Sequence, residues 1–541
     1  MPKLYDLAIM NGRIIDGSGN PWFKGDVGIK GEKIVKIGKI DPSSGKIVLD
    51  ASKKTVAPGF VDVHSHSDFT LIFDPRAEST IRQGITTLVV GQCGMSLAPI
   101  NRKFENLLRR YAAPFLPDPN VEISWITFKQ YLAKMQKLRT TSNVAHLVGH
   151  GTVRIAAMGF AEREPSKKEL ESMKDLVAEA MKAGAFGMST GLIYPPGVFS
   201  KTEELIELNQ VAAMYGGVYF SHIRGEGPTL INAVKEAIEI GEKSGTPTHI
   251  SHHKAAGRQV WGKLKETLQL MEKARSRDVD VTYDQYPYTA GMTSLATLLP
   301  PWTHEGGMDK LLERIRNDET WAKIRQEMET GTTDREDLLK EAGWEKIVVS
   351  SVKSQSLKHV EGKNLAEISR MLGKPDEFTA LRDILIQDRG GATMVIFSMD
   401  ENDVEYAMGG RYHMVGTDAW SVSTTGPLSS GKPHPRFYGT YPRVLGRYVR
   451  TRHIFTLEDA VRRMTSFPAQ RSGLKDRGTL REGFFADVVI FDPETILDRA
   501  TFDQPAQFPE GIDKVIVNGK IVVDSGELTK ARPGRVLLRK G

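Results

Sequence analysis

One cysteine, Cys93, is the whole thiol content of this 541-residue chain. A lone thiol closes no intrachain disulfide, so nothing here calls for an oxidising compartment. Long apolar runs are missing too. None approaches the ~20 residues that span a bilayer, and the opening Met1-Pro-Lys-Leu-Tyr-Asp6 has no signal-peptide hydrophobic region. A cytoplasmic protein without a membrane partner is the expectation. Charge of one sign is also lacking. The 73 Lys and Arg and 67 Asp and Glu are interleaved and leave a net charge of only +6. That pattern excludes a nucleic-acid stripe or a polybasic anchor. With 40% hydrophobic residues the chain can build a sizeable core. Its length suits several small domains or one large barrel with insertions. Nothing in the sequence fixes an oligomeric state.

Short apolar β-forming runs occupy both ends. At the amino end they lie at 7–15, 26–37 and 46–50, with turn chemistry at Asn11-Gly12 and Lys30-Gly31-Glu32. The carboxyl end repeats the pattern at 486–491 and 514–523. The phrase apolar-Asn-Gly-(Arg/Lys)-Ile-(Ile/Val) occurs at both Met10–Ile15 and Val517–Val522. The expectation is a small β-sandwich built by both termini, from residues 1–58 and 470–541.

Between them, strands alternate with helices. The strand candidates are Gly59–His66, Gly84–Cys93, Asn143–His150, Ala185–Thr190, Gly217–His222, Thr246–His252, Val279–Tyr286 and His413–Asp418. Amphipathic stretches at Ser166–Ala183, Thr202–Tyr215, Leu230–Ser244 and Lys263–Ser276 separate several of them, with Ser166 and Thr202 as N-caps. Such strand–helix units predict an α/β fold, a (β/α)8 TIM barrel over residues 59–469. The interval before the last strand is too long for one helix. Its charged, helical stretch Trp302–Trp344 predicts an inserted lid or small subdomain at about 290–345. Thr393–Ser398 is an extra strand or a rival for a place in the barrel.

In such barrels, chemistry gathers at the carboxyl ends of the strands. Those ends read His64-Ser-His66, Gly91-Gln-Cys-Gly94, Ser189-Thr-Gly-Leu-Ile-Tyr-Pro-Pro196, Ser221-His222, His249-Ile-Ser-His-His-Lys254, Tyr283-Asp-Gln-Tyr-Pro-Tyr288 and Thr417-Asp418. Singly, each has a bland reading: a lone histidine is more often a satisfied core residue, and a buried cysteine a small hydrophobe. Together they place His64, His66, His222 and His252 with a thiol and a carboxylate around one mouth. His64 and His66 lie two apart at the carboxyl end of a strand and so present their imidazoles in one direction, and imidazole is the commonest metal ligand. The group points to a metal, and cysteine with histidine favours zinc over magnesium or calcium. Catalytic zinc lowers the pKa of bound water to roughly 7. Asp418 beside it can take the water's proton and pass it to a leaving nitrogen. The chemistry is hydrolysis of an amide or a related polar bond. In the sixth strand His252 shares parity with Lys254 and is the expected ligand, and His253 is a supporting donor.

These strand ends resemble the amidohydrolase superfamily, and within it the N-acyl-D-amino-acid deacylases (D-aminoacylases). The likeness runs over nearly the whole chain. It rests on Pro58-Gly-Phe-Val-Asp-Val-His-Ser-His-Ser-Asp68, Gly91-Gln-Cys-Gly94, Ser189–Gly197, Ser221-His-Ile-Arg-Gly-Glu226, Ile250-Ser-His-His-Lys254, Tyr286-Pro-Tyr288, His434-Pro-Arg436 and Gly478–Phe491. The cysteine at the second strand is the specific sign, because most superfamily members bridge two metals with a carboxylated lysine. The resemblance implies a tightly held zinc on Cys93, His222 and His252. It implies a second, weaker site with His64 and His66, which Cys93 would bridge, and Asp418 as the acid/base at the metals. It makes Tyr194 the donor to the developing oxyanion, and Lys254, Tyr286 and Arg436 the holders of a substrate α-carboxylate. A guanidinium fork and an ammonium suit that anion, although either cation also suits a structural ion pair. The implied activity is zinc-dependent hydrolysis of N-acyl-D-amino acids, small-molecule substrates, to a carboxylate and a free D-amino acid.

The family pattern is Ser-Asp-Gly at the eighth strand with a shorter link to His-Pro-Arg. Here Thr417-Asp-Ala-Trp-Ser-Val-Ser-Thr-Thr-Gly426 precedes His434. The segment after Tyr288, Thr-Ala-Gly-Met-Thr-Ser-Leu-Ala-Thr-Leu-Leu299, holds no arginine for an acidic side chain. Apolar D-amino acids are therefore expected over D-glutamate. The alternatives are N-acyl-D-glutamate or D-aspartate deacylation, a D-dipeptidase, cyclic-amide opening of the dihydroorotase or hydantoinase kind, and a non-catalytic scaffold. The lysine bridge usual in cyclic-amide enzymes is replaced by Cys93, and a scaffold has no need of the full ligand set.

Overall fold

A computed structural model describes residues 4–118 and 122–539. The barrel strands are Phe60–Asp62, Ile85–Val90, Asn143–His146 with its continuation Val148–Gly149, Gly187–Gly191, Val218–His222, Thr248–Ile250, Val281–Gln285 and His413–Val415. Neighbours pair in parallel around the ring. A parallel bridge from Ser65 to Ala419 closes the last strand onto the first. The strands are mostly shorter than the apolar runs suggest, because their polar carboxyl ends turn away to build the site.

All four expected helices appear, as Lys167–Ala183, Thr202–Met214, Leu230–Ser244 and Leu264–Arg275. Ser166 caps the first in a reciprocal box with Glu169. Thr202 is not the cap of its helix. Lys201 holds the extended cap position, and the Thr202 hydroxyl donates to Glu236 at 2.8 Å. No helix among the described residues is long and apolar enough to cross a membrane.

Both ends of the chain enter one nine-stranded sheet, joined where Thr55–Pro58 pairs antiparallel with Val488–Phe491. Alternation sorts its side chains. Val488 and Ile490 face a core with Leu7, Ile9, Val27 and Ile516, while Val489 and Phe491 pack with Phe60 of the barrel. The twin Asn-Gly phrases take different shapes. Asn518-Gly519 is a two-residue hairpin, both residues at positive φ, joining Val517 to Lys520. Asn11-Gly12 is no turn: it is a bulge inside the strand Tyr5–Ile14, with the Asn11 N–H bound to Asp26. The chain does not end in this sheet. Val536–Leu537 returns to the barrel beside Val144 and Ala145.

The unit inserted after the seventh strand is larger than its helical stretch alone suggests. Gly291–Ser294, Thr393–Ile396 and Ile347–Ser351 form an antiparallel sheet of their own, in that spatial order. Their core runs from Leu295 through Leu311, Trp321 and Leu381 to Ile396. Thr393–Ile396 is thus a strand of the insert, and His413–Val415 takes the eighth place in the barrel.

Candidate metal centre

Each site residue leaves its strand through a local break. The first strand stops at Asp62, so alternation is not what aligns His64 with His66. The buried Asp62 carboxylate accepts from the main-chain N–H of His64 at 3.2 Å, and from the N–H and hydroxyl of Thr417 at 2.9 and 2.6 Å. It ties the first strand's exit to the eighth's. The sixth strand likewise stops at Ile250, and His252 has φ +36°. Cys93 (φ +53°) and Asp418 (φ +49°) share that left-handed conformation. It costs of order 1–3 kcal/mol per non-glycine residue and clusters at functional sites. Gly91, just before Cys93, must be glycine: a Cβ there would lie 2.2 Å from the carbonyl oxygen of Leu147.

These breaks bring six of the expected residues together. Cys93 Sγ lies 3.4 Å from His64 Nε2 and 3.5 Å from His252 Nε2. Asp418 Oδ1 lies 3.2 Å from His66 Nε2 and 3.5 Å from His64 Nε2. Two ligand groups result, Cys93–His222–His252 and His64–His66–Cys93–Asp418, each with its ligand atoms within 4.8 Å of one another and Cys93 common to both. Tetrahedral zinc, with bonds of about 2.0–2.3 Å, spaces its ligands roughly 3.3–3.8 Å apart. The observed separations around Cys93 match. His222 is buried, and neither ring nitrogen has a hydrogen-bond partner among the described residues, as for His146 and His413, but His222 alone of the three lies beside Cys93 and His252. Buried polar atoms are rarely left so, and a metal would satisfy one of them.

The electrostatics agree. Burial would raise the Cys93 thiol, but His64 and His252 beside it bring it well below the usual thiol range. Burial would raise Asp418 too, and Arg436, with Nη1 2.8 Å from Oδ2, leads the groups that hold it well below the usual carboxylate range. Both groups stand as anions, as metal ligands must. Tyr194 is pushed the other way, by burial and by Cys93, so its phenol stays protonated. It accepts from the Thr293 hydroxyl at 3.1 Å and meets the His222 ring edge-on at 5.0 Å.

The expected carboxylate-binding residues lie on one flank. The Tyr286 ring has the Arg436 guanidinium 4.6 Å from its centre and the Lys254 ammonium at 5.7 Å. Arg436 is fully buried, and its Nε has no hydrogen-bond partner among the described residues. Lys254 is paired: its Nζ donates to Glu226 Oε1 at 2.6 Å and sits 2.8 Å from His252 Nδ1. His253 turns away from the mouth, with Nε2 2.7 Å from the Thr267 hydroxyl.

The sequence reading missed two supporting carboxylates. Asp284 Oδ2 lies 3.2 Å from His64 Nδ1 and 2.9 Å from His249 Nε2, while Oδ1 accepts from the His252 N–H at 3.1 Å. Glu226 Oε1 lies 3.0 Å from His252 Nδ1. Asp284 at His64 Nδ1 suits the tautomer that leaves Nε2 free as a ligand, and Glu226 and the Lys254 ammonium together fix His252 at its Nδ1 side. A signal existed for Asp284. It is an acid in the middle of a buried strand, where an uncompensated charge is costly.

Comparisons with known proteins identify the family. The model of the amidohydrolase family matches residues 48–523. A D-aminoacylase of Alcaligenes xylosoxydans xylosoxydans is 35% identical over 99% of this chain and 98% of its own length. An N-acyl-D-glutamate deacylase of the same organism is 38% identical over 100% and 98%. Among solved structures, the N-acyl-D-glutamate deacylase of Bordetella bronchiseptica, complexed with zinc and a phosphonate inhibitor, superposes with a TM-score of 0.83 at 35% identity, covering 99% of each chain. The chain belongs to the amidohydrolase family, beside its D-aminoacylase and N-acyl-D-amino-acid deacylase members.

Proposed function

We propose that this protein is a zinc-dependent hydrolase of N-acyl-D-amino acids with apolar side chains. The observation that carries this reading is the position of Asp418, 3.2 Å from His66 on one side and 2.8 Å from Arg436 on the other. One carboxylate thus joins the metal ligands to the cation suited to a substrate carboxylate. Full-length relatives that are a D-aminoacylase and an N-acyl-D-glutamate deacylase support it.

Cys93, His222 and His252 would hold the first zinc, and His64, His66 and Asp418, with Cys93 shared, a second. Zinc, when bound, polarises water and the amide carbonyl. Asp418, kept ionised, takes the attacking water's proton and delivers it to the leaving nitrogen. The Tyr194 hydroxyl donates to the carbonyl oxygen as charge builds there. The guanidinium of Arg436, with Tyr286 against its face, receives the α-carboxylate through its free Nε. Lys254 acts on the same anion only as half of its pair with Glu226.

Met95, Phe115, Met292, Trp420, Ile193 and Leu338 form the apolar walls of the cavity. Lys254 and Arg436 are the lysine and arginine that line it, and both are engaged. Among the described residues, the lining of this cavity offers a side-chain carboxylate no further Lys or Arg. The 38% identity to an N-acyl-D-glutamate deacylase favours the second reading, D-glutamate. A panel of N-acetyl-D-methionine, -leucine, -phenylalanine, -glutamate and -aspartate separates the two. The apolar substrates should lead in kcat/KM, and a lead by D-glutamate would replace this reading with the second.

A further inference from the structure

The cavity beside the metal centre has a branch. Met95, Phe115 and Tyr194 line the main cavity, and they also line a second one that runs on toward Phe160, Ala296 and Met308. Its volume is about 50 Å³. No Lys, Arg, Asp or Glu among the described residues lines it. Its one histidine, His304, is occupied: Nε2 lies 3.2 Å from the carbonyl oxygen of Ala296, and burial brings the ring down to about 4, so it is neutral. Tyr111 and Phe160 meet edge to face across 5.5 Å within the same lining. Arg436, Lys254 and Tyr286 line the main cavity and not the branch.

We propose that this branch is an acyl-chain pocket that takes uncharged acyl groups longer than acetyl. The inference rests on the reading above, in which Tyr194 faces the amide carbonyl and Arg436 the α-carboxylate. A carbonyl carbon carries two substituents. One is the nitrogen, which leads to the α-carbon, its carboxylate and its side chain, and that half is anchored on the Arg436 flank. The other is the acyl carbon, which stays at the Tyr194 end, where the branch opens. The amino-acid half, held by its carboxylate on the Arg436 flank, belongs to the main cavity, which Arg436, Lys254 and Tyr286 line. The acyl half enters the branch by extension.

Size and chemistry then follow. A water-sized group needs roughly 10–15 Å³ of such volume, so the branch holds about three to five of them. That is room for roughly three or four carbons beyond the acetyl methyl. The lining is mainly thioether, aromatic ring, proline and methyl, with the hydroxyls of Ser294 and Thr297 among them, and it rewards each buried methylene. A rise in kcat/KM of roughly three- to four-fold per added carbon is expected until the branch is full. A charged acyl group such as succinyl would enter without a counter-ion and is excluded.

The test is a series of N-acyl-D-methionines on the zinc-loaded protein: acetyl, propanoyl, butanoyl, pentanoyl, hexanoyl and succinyl. The expected result is a stepwise rise to about pentanoyl, then a plateau, with succinyl far below pentanoyl. Ala296→Phe fills the branch and should bring the pentanoyl-to-acetyl ratio of kcat/KM to near one. Met308→Trp narrows the half-buried far end, should lower the hexanoyl ratio first, and serves if Ala296→Phe does not fold. Acetyl turnover with a flat or falling series overturns the pocket and leaves the deacylase reading standing. So does a ratio that neither substitution moves. No turnover with any acyl group overturns the reading for apolar side chains on which the pocket rests, and the pocket with it.

Discussion

Asp284→Asn keeps the shape of the side chain and removes one charge and one acceptor. Asp284 is fully buried and serves three donors at once: His64 Nδ1 at 3.2 Å, His249 Nε2 at 2.9 Å and the His252 N–H at 3.1 Å. An asparagine amide has a donor where one of those acceptors was. If its nitrogen takes the Oδ2 place, His64 must accept on Nδ1 and carry its proton on Nε2, the nitrogen 3.4 Å from Cys93 Sγ. If it takes the Oδ1 place, it faces the N–H that holds His252 in its left-handed conformation. Either way a residue proposed to hold zinc is lost or displaced. Loss of a group that orients a metal ligand typically costs 10–100-fold in affinity, about 1.4–2.7 kcal/mol. Charge-assisted bonds are worth about 1.5–3 kcal/mol each to folding, so the apoprotein should melt lower as well. The assay is zinc competition against a chromogenic chelator on folded protein, with melting followed with and without the metal. A folded Asp284→Asn variant that binds zinc as tightly as the parent would refute the reasoning.

Glu226→Gln should also lower zinc affinity 10–100-fold by loosening His252, whereas Lys254→Met should keep zinc and raise KM; chelator competition and steady-state kinetics separate them. Arg436→Ala removes both the α-carboxylate fork and the cation that keeps Asp418 ionised. It should raise KM and move the acid limb of the kcat profile to higher pH; an unmoved acid limb places the control of Asp418 elsewhere. Glu204, buried between His150 at 2.7 Å and Arg154 at 2.5 Å, is held below the usual carboxylate range by those two partners against its burial. Its contribution to stability is present above about pH 4.3 and lost as pH falls below that. Glu204→Gln should therefore melt lower at neutral pH and lose less on acidification, read by thermal melts across pH.

The barrel and the six residues of the candidate metal groups were legible because they depend on residue type and spacing. Apolar runs mark the eight strands, and His64, His66, Cys93, His222, His252 and Asp418 stand where those runs end. The reason the ligands converge was not legible. The pattern suggested strand alternation at His64 and His252, whereas Phe60–Asp62 and Thr248–Ile250 stop short and left-handed residues make the turn. The partners of Asp284 and Glu226 were hidden for another reason, although the buried-strand position of Asp284 was itself a signal. Each carboxylate is defined by partners distant in sequence, His64 at 220 residues and Lys254 at 28. The insert failed the same way, because Thr393–Ile396 joins Gly291–Ser294 only through the folded chain. Asn11-Gly12 and Asn518-Gly519 carry one local signal, and the bonds of Asn11 to Asp26 and Asp50 make the first a bulge.

The most direct measurement is hydrolysis of N-acetyl-D-methionine against its L-isomer by protein with its zinc content determined, with Cys93→Ala beside it. The account predicts turnover of the D-isomer, negligible turnover of the L-isomer, and loss of both zinc and activity in the variant. Zinc bound with neither isomer cleaved, or full activity without Cys93, would contradict it.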